Sequence, residues 1–265
     1  WRKRFGRDRT VRLLEWNNSI PPVCVRLNTL RSSPEDILQA LLKFQPKPTP
    51  HPLAYCLERP AGVFESEAFA AGSFYAQDPS TLAAADLLEA RPGDSILDTC
   101  AAPGGKSTYL AQLMENRGEI VARDPAADRL ALIEENRRRL GAEIVKIDAT
   151  PKPDAPETFD RMLWDVPCSN TGVMRRRVDL RWRITPEELE KFPALQLRIA
   201  RSALVALKAG GSAVYSTCSL EPEENLDVVQ RLAAANGLTI EKTFESFPPE
   251  SGMDGAFAAR LRKAS

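Results

Sequence analysis

The segment SILDTCAAPGGKSTYL, residues 95–110, joins an apolar run to a helical pattern through a short turn that contains Pro103, Gly104 and Gly105. The apolar run ends in Asp98 and predicts a β-strand, and the spacing after the turn predicts a helix. Glycine lacks a β-carbon, so the backbone can bend sharply there and approach a ligand, with free N–H groups of the new helix pointing at it. The segment therefore predicts the ligand-binding start of an open α/β sheet, with a purely structural turn as the alternative.

Four more segments predict strands that end near polar side chains. GEIVARD ends at Asp124, EIVKIDA contains Asp148, FDRMLWD ends at Asp165, and SAVYSTC ends at Cys218. Two late segments, LTIEKTF and GAFAARLRK, predict two further strands, and helical patterns lie between most of the strands. This alternation predicts a doubly wound, mostly parallel sheet. Because ligands bind beyond the carboxyl ends of such strands, we expect these side chains and Asp98 to face one crevice.

The chain divides into two predicted domains. Residues 1–70 contain a strand pattern, PPVCVRLNTL, and a capped helix pattern, SSPEDILQALL, and predict a small α+β domain. Residues 71–265 contain the predicted sheet. Within them, PKPDAPET, residues 151–158, predicts a loop, and the helix before the fifth strand is expected to end at the glycine pair 210–211.

The composition narrows the class of protein. Hydrophobic residues make up 43% of the chain, which is typical of a globular protein. No apolar run approaches the roughly 20 residues that span a bilayer, and no signal-peptide pattern is visible, so we expect no membrane partner. The five cysteines have no closely spaced pair, which argues against a disulfide framework or a zinc site, and Cys24 and Cys56 are expected to be small buried side chains. A monomer in a reducing cytoplasm, without a metal, is the expectation.

The strand-end acids indicate the kind of ligand. The chain has no GxGxxG, and the stretch from Ala101 to Lys106 has alanine where a phosphate-binding loop has its first glycine, so a nucleoside triphosphatase is disfavoured. An acid about 20–25 residues past the glycine turn, Asp124, suits a pair of ribose hydroxyls. Asp148 would accept the adenine amine. A ligand with ribose and adenine but no phosphates fits best, and S-adenosylmethionine has that shape.

Two cysteines, Cys168 and Cys218, each follow a predicted strand on a polar loop, a position that suits chemistry better than packing. A thiolate there could attack an electron-poor ring carbon. Cytosine carbon 5 accepts a methyl group only after a nucleophile adds at carbon 6 and turns the ring into an enamine. Asp165 would stand beside the ring nitrogen, and a base must later remove the carbon-5 proton. Acid–base or catalytic-triad chemistry that depends on histidine is disfavoured, because His51 is the single histidine of the chain.

At this point three segments, DTCAAPGGKS, DVPCSNTGVMRRRVDLRWR and YSTCSLEPEEN, resemble the signatures of the RNA 5-methylcytosine methyltransferases of the RsmB/Sun family. NNSIPPVCVRLNT resembles the family's N-terminal RNA-binding domain. The resemblance implies a class I Rossmann-like methyltransferase with a mixed seven-stranded sheet, with Cys218 as nucleophile, Cys168 assisting proton removal and release, and Lys106 and Asp165 facing the base. It also implies a set of residues for S-adenosylmethionine: Cys100, Ala101, Ala102, Pro103, Gly104, Gly105, Lys106, Asp124, Arg129, Asp148 and Asp165.

The sequence departs from the family pattern at Val166, where alanine is usual, and at Arg123, where an apolar residue usually precedes the acid. The bacterial rRNA enzymes of this family usually carry an extra N-terminal helical domain that this sequence does not include, either because it is truncated or because it was never present, and the domain of residues 1–70 is expected to be incomplete at its start.

RNA, and 16S rRNA in particular, is the expected substrate. Two basic groups could contact its phosphates, or else form solvated surfaces. A tRNA cytosine methyltransferase and a non-catalytic RNA-binding assembly factor remain alternatives, and an amine-directed methyltransferase would not need two cysteines. The N-terminal and the central basic group consist of Arg2, Lys3, Arg4, Arg7, Arg9 and Arg12, and of Arg175, Arg176, Arg177, Arg181 and Arg183.

Overall fold

A computed structural model describes residues 1–149 and 155–265, so residues 151–154 of the predicted loop lie outside the described residues. The N-terminal part forms a small antiparallel sheet in the order β2-β3-β1-β4, with helices packed against it. Its apolar core includes Val25, Ile37, Leu41 and Phe74. The elements are α1 (Arg2–Asn17), β1 (Val23–Leu27), α2 (Pro34–Leu41), β2 (Pro46–Pro48), β3 (Ala54–Leu57), α3 (Glu67–Ala70) and β4 (Phe74–Ala76).

The small sheet corrects one sequence expectation. Cys24 on β1 lies directly opposite Cys56 on β3, and the two side chains form a disulfide bond. The sequence indicated two separate buried thiols because 32 residues separate them, and only the pairing of the two strands brings them together. The small sheet also includes β4, which lies beyond residue 70. The boundary at about residue 70 stays a prediction.

The larger part is built on a mixed seven-stranded sheet in the order β10-β11-β9-β8-β5-β6-β7. Five strands, β5 to β9, pair in parallel, and β10 and β11 add an antiparallel edge. The predicted mixed sheet is confirmed. Its elements are α4 (Ala83–Leu88), β5 (Ser95–Asp98), α5 (Gly105–Leu113), β6 (Glu119–Ala122), α6 (Leu130–Leu140), β7 (Val145–Ile147), β8 (Phe159–Asp165), α7 (Leu180–Arg183), α8 (Pro186–Leu204), β9 (Leu207–Thr217), α9 (Leu226–Asn236), β10 (Leu238–Ser246), α10 (Pro248–Ser251) and β11 (Ala256–Lys263).

Short 3₁₀ turns occupy Leu42–Phe44, Pro79–Thr81, Ala127–Arg129, Thr171–Val173 and Pro222–Glu224.

The end of the helix before β9 differs from the sequence expectation. Helix α8 stops at Leu204, and the glycine pair 210–211 lies inside β9. Pairing with β8 shifts register there, from Phe159 opposite Leu207 to Arg161 opposite Ser212. Gly210, with φ of +67°, therefore allows the irregularity within the strand. The glycine pair does not mark the end of the helix.

The topology of the large sheet defines where a ligand can bind. From β5 the chain moves outward through β6 to β7, and it then returns to add β8 on the other side of β5. The strand order therefore reverses between β5 and β8. In open α/β sheets the crevice at such a switch point, beyond the carboxyl ends of the strands, is the ligand site. Asp98 ends β5 and Asp165 ends β8, the two strands that flank this switch point; Asp165 lines the crevice, whereas Asp98 is buried and, contrary to the sequence expectation, is not part of its wall.

Candidate active site

A cavity of about 720 Å³ lies at the switch point, between the carboxyl edge of the large sheet and the small sheet. This volume is in the range of small-molecule sites in proteins. Side chains from both parts of the chain line it. They include Val23, Cys24, Phe64, Cys100, Ala102, Pro103, Lys106, Asp124, Arg129, Asp165, Pro167, Cys168, Asn170, Val173, Arg177 and Cys218.

The glycine turn forms one wall of this cavity. Gly104 takes φ of +101°, which only glycine adopts readily, and α5 begins at the next residue. The wall includes Cys100, Ala102, Pro103 and Lys106, whereas Ala101, Gly104 and Gly105 support it without lining it. Burial raises the pKa of the Cys100 thiol, which therefore stays protonated at neutral pH.

Asp124 and Arg129 connect the end of β6 to this turn. The Asp124 carboxylate accepts the backbone N–H of Ala102 and of Ala126, each at 2.9 Å, and it lines the cavity. Arg129 donates to the Ala102 carbonyl oxygen at 2.6 Å. Asp148 lies just after β7 and accepts a bond from Arg123 at 2.8 Å, and it is not part of the cavity wall. The structure thus brings Asp124 and Arg129 to the site and places Asp148 beside Arg123.

Lys106 and Asp165 form an ion pair inside the cavity. Lys106 Nζ lies 2.7 Å from Asp165 Oδ2, and Ser216 Oγ donates to Asp165 Oδ1 at 2.7 Å. Burial acts to lower the pKa of the Lys106 ammonium, but the adjacent Asp165 carboxylate outweighs it and the net pKa is raised. The pair therefore presents a fixed cation and a fixed anion to whatever enters between them.

The two loop cysteines meet at the other side of the cavity. Cys168 Sγ and Cys218 Sγ lie 3.3 Å apart, and Cys218 Sγ donates to Asn170 Oδ1 at 2.9 Å. The bond to Cys218, together with burial, raises the pKa of the Cys168 thiol well above its ordinary value. Two facing thiols therefore share one pocket with the glycine turn and the ion pair, as the sequence predicts.

Comparison with known proteins identifies the family that carries this arrangement. A family model described as 16S rRNA methyltransferase RsmB/F matches residues 85–262, and a second, described as the RsmF/B-like ferredoxin-like domain, matches residues 1–63. The chain belongs to the RsmB/F methyltransferase family. The resemblance predicted from the three signature segments is thereby confirmed.

Individual relatives of the RsmB/F chain agree with this result. The ribosomal RNA small subunit methyltransferase B of Yersinia pseudotuberculosis is 35% identical over 267 residues, which cover 95% of this chain and 62% of that protein. The chain thus spans about 62% of the length of this curated relative. The solved structure of a methyltransferase homolog protein from Pyrococcus horikoshii superposes with a TM-score of 0.86 at 31% identity, covering 98% of this chain and 92% of that one. The Pyrococcus horikoshii structure described as NSun6 with SFG has the same fold, with a TM-score of 0.90 at 24% identity and coverage of 100% and 96%.

S-adenosylmethionine is the cofactor of the RsmB/F family, and the residues of this chain fit it. Asp124 follows β6 and Cys218 follows β9, and these strands are three positions apart in the sheet. At about 4.8 Å per position, the two ends of the cavity are separated by about 14 Å. A carboxylate suited to ribose hydroxyls at one end and thiols at the other match an elongated nucleoside ligand with its reactive group directed at the cysteines.

A buried glutamate supports both cysteine loops, and the sequence reasoning missed it. Glu224 has no exposed surface. It accepts bonds from the Ser169 N–H and the Ser219 hydroxyl, each at 2.8 Å, and from Gln196 Nε2 at 3.0 Å. Ser169 follows Cys168 and Ser219 follows Cys218, so one carboxylate fixes both loops. Glu224 lies in the segment YSTCSLEPEEN, which contains Cys218, but from sequence alone the acidic residues of this segment indicate the polar start of a helix.

The central basic group is placed differently from the expected RNA channel. Arg175 is buried, pairs with Asp254 at 2.7 Å, and stacks on the ring of Trp16. Arg176 contacts Asp254 as well. Arg175 therefore holds two loops together, away from the cavity wall, which corrects the sequence expectation for this residue, because its carboxylate partner lies 79 residues away in sequence. Within this group, Arg176 and Arg177 line the cavity.

The remaining basic residues are partly paired. Arg181 donates to Asn18 Oδ1 at 2.6 Å, Arg183 lies 3.5 Å from Asp179, and Arg9 lies 2.8 Å from Glu250. Within residues 1–149 and 155–265, no helix is long and apolar enough to cross a bilayer. The same residues contain no group of three or more His, Cys, Asp or Glu side chains that could hold a metal ion.

Proposed function

We propose that this chain transfers a methyl group from S-adenosylmethionine to carbon 5 of a cytosine in RNA, with 16S rRNA as the substrate. The observation that carries the proposal is the 3.3 Å approach of Cys168 Sγ to Cys218 Sγ inside the cavity that also contains Lys106 and Asp165. Methyl transfer to an amine or a hydroxyl has no need of two thiols. The description of the matching family supports rRNA as the substrate class.

Cys218 acts as the nucleophile. Its sulfur bonds to carbon 6 of the cytosine, and the electron pair moves through the ring so that carbon 5 becomes nucleophilic. The raised pKa of Cys168 keeps that residue a thiol during this step, and Cys218 releases its proton to solvent as the bond from its sulfur to carbon 6 forms. S-adenosylmethionine, when bound, supplies an electrophilic methyl group.

Asp165 and Lys106 stabilise the ring during the addition. Negative charge develops at the ring nitrogen as the sulfur adds, and the Lys106 ammonium offsets it, either directly or by passing a proton to the nitrogen through Asp165. Lys106 and Ser216 hold the Asp165 carboxylate from two sides, so its orientation is fixed before the base enters. Fixed groups of this kind lower a barrier because they do not reorganise during the reaction.

Cys168 acts after methylation. The hydrogen bond to Cys218 is the largest cause of its raised pKa. Once Cys218 is bonded to carbon, this contribution to the raised pKa is removed, so Cys168 can release its own proton to solvent and, as a thiolate, accept the carbon-5 proton. Loss of that proton restores the ring and expels the Cys218 sulfur as a thiolate, which frees the product.

RNA reaches the cavity beside α7. Arg177 lines the cavity, and Trp182, five residues later, is 79% exposed. At 1.5–2.0 Å of rise per residue, Trp182 lies about 10 Å along the chain from Arg177. An exposed aromatic ring beside a cation suits stacking on a base that flanks the target. We expect the protein to act as a monomer in the cytoplasm, where rRNA is accessible.

The test is methyl transfer from labelled S-adenosylmethionine to rRNA, followed by digestion to nucleosides. We expect the label in 5-methylcytidine and none with Cys218→Ala. A cofactor affinity of Cys218→Ala equal to that of the unaltered chain would show that the site is intact. Label in another nucleoside, or wild-type transfer by Cys218→Ala, would refute the proposal. Label in tRNA only would identify the tRNA alternative, and RNA binding without any transfer would identify an assembly factor.

A further inference from the structure

We infer that Arg26, a residue of the small sheet, is a positioning residue that holds the first turn of α5 against the cofactor cavity. Arg26 lies on β1 and has no exposed surface. Its Nη1 donates to the Gly105 carbonyl oxygen at 2.7 Å and to Gln77 Oε1 at 2.6 Å, and its Nη2 donates to Thr108 Oγ1 at 3.2 Å. Gly105 and Thr108 both belong to the first turn of α5.

The environment of the Arg26 guanidinium differs from that of a side chain whose role is only packing. Its hydrogen-bond partners in the described part of the chain are a carbonyl, an amide oxygen and a hydroxyl, none of which is charged. The rings of Tyr75 and Tyr109 lie 5.5 and 4.9 Å from the guanidinium carbon. Burial lowers its pKa to about 10, so it remains a cation at neutral pH. A buried cation without a carboxylate is costly, and an apolar side chain would join the two parts of the chain at lower cost.

Arg26 restrains the position and orientation of the backbone and side-chain atoms to which it donates. A planar fork of N–H donors fixes the atoms it contacts more narrowly than apolar packing does. On β4, Tyr75 closes the other side, because a β-carbon at Gly105 would lie 2.7 Å from Tyr75 Cε1. Two residues of the small sheet thus hold Gly105, and the next residue is Lys106, which pairs with Asp165. A shift of this turn would move both the cavity wall and the Lys106 ammonium.

The small sheet is therefore part of the cofactor site as well as a candidate RNA contact. The effect on cofactor affinity does not depend on the cytosine chemistry. Only the expected effect on turnover, through Lys106 and Asp165, rests on the function proposed above.

Asn28 offers a matched control on the same strand end. Its Nδ2 donates to the carbonyl oxygens of Gly72 and Leu140, each at 2.8 Å. Leu140 ends α6, so Asn28 also joins the small sheet to the large part of the chain, and its side-chain hydrogen bonds in the described residues go to partners outside α5. Asn28→Ala removes buried hydrogen bonds of the same kind without touching the cofactor turn.

The experiment compares Arg26→Lys, Arg26→Gln and Asn28→Ala. Calorimetry measures S-adenosylmethionine affinity, hydrogen exchange measures the amides of residues 105–108 without cofactor, and thermal unfolding reports stability. We expect both Arg26 variants to bind the cofactor roughly tenfold more weakly, the equivalent of one lost charge-assisted hydrogen bond, and to exchange faster at residues 105–108. Arg26→Lys keeps the charge but loses the fork, so it isolates geometry. Asn28→Ala should unfold at a lower temperature with cofactor affinity unchanged.

Two results would overturn the inference. One is wild-type cofactor affinity and exchange at residues 105–108 in Arg26→Lys and Arg26→Gln. The other is an equal loss of affinity in Asn28→Ala, since this would assign the effect to general destabilisation. Absence of methyl transfer by the unaltered chain would refute the proposed function but would leave these binding and exchange results interpretable.

Discussion

Asp98 is the residue whose ionisation most directly links the site to stability. It ends β5, is 1% exposed, and accepts a bond from Ser107 Oγ at 2.6 Å. Burial raises its pKa to about 7, and the bond from Ser107 opposes this only in part. The folded chain therefore favours the protonated carboxyl, whereas the unfolded chain ionises near pH 4. The stabilising contribution is complete below pH 4 and is lost as the pH rises through 7.

This ionisation predicts a specific change in Asp98→Asn. The asparagine amide cannot ionise, so the stability of the variant should not fall when the pH rises through the pKa of Asp98. From pH 4 to pH 8 the unfolding free energy of the unaltered chain should fall, relative to that of Asp98→Asn, by on the order of 4 kcal/mol. Urea unfolding of both proteins across this range measures the difference. A difference independent of pH would show that folding does not raise the pKa of Asp98 and would contradict this prediction.

Glu224 predicts a large effect on stability at a single position. Glu224→Ala leaves the Ser169 N–H, the Ser219 hydroxyl and Gln196 without their common acceptor. Unsatisfied buried donors of this kind should lower the unfolding free energy by about 3 kcal/mol. The adjacent Glu223 is exposed, so Glu223→Ala should change stability by less than about 0.5 kcal/mol. Equal effects of the two substitutions, measured by denaturant unfolding, would contradict the assigned role of Glu224.

At the scale of elements, α7 is the segment proposed to meet the RNA next to the target base. Trp182→Ala should weaken RNA binding about tenfold through loss of base stacking, while Trp182→Phe should retain most of the affinity. Leu132→Ala removes another exposed apolar side chain, from α6, and should have no effect. Fluorescence anisotropy with a labelled RNA measures the three affinities. Unchanged binding by Trp182→Ala would remove α7 from the RNA surface.

The elements also show how far a sequence can be interpreted before its structure is known. The strand, glycine turn and helix around residues 95–110 follow from local pattern, because apolar spacing and turn residues act over short distances. The two cysteines could be placed together because both follow parallel strands. The Cys24–Cys56 disulfide and the ion pair between Arg175 and Asp254 could not be predicted from the sequence. In each case the two partners are distant in sequence and are brought together only by the packing of their segments. Arg26 looked like any polar residue in a strand pattern, since nothing local indicates burial against another domain.

At the scale of the whole molecule, the cavity is shared between the two parts of the chain. A ligand that binds the folded form but not the unfolded form stabilises it by mass action. S-adenosylmethionine at 100 times its dissociation constant should raise the unfolding free energy by about 2.7 kcal/mol. Asp124→Ala should abolish most of this increase at the same cofactor concentration, because Asp124 lines the cavity and holds the Ala102 N–H. Thermal unfolding with and without the cofactor measures it, and an equal increase in Asp124→Ala would exclude Asp124 from the cofactor site.

The central claim is that RNA becomes covalently attached to Cys218 and that Cys168 is needed for its release. The most direct measurement is a denaturing gel of the Cys168→Ala variant incubated with rRNA and S-adenosylmethionine. We predict a slow-migrating protein–RNA adduct that accumulates in Cys168→Ala and is absent from the Cys168→Ala/Cys218→Ala double variant. An adduct that persists in the double variant, or methyl transfer by Cys168→Ala at the wild-type rate without any adduct, would contradict the account.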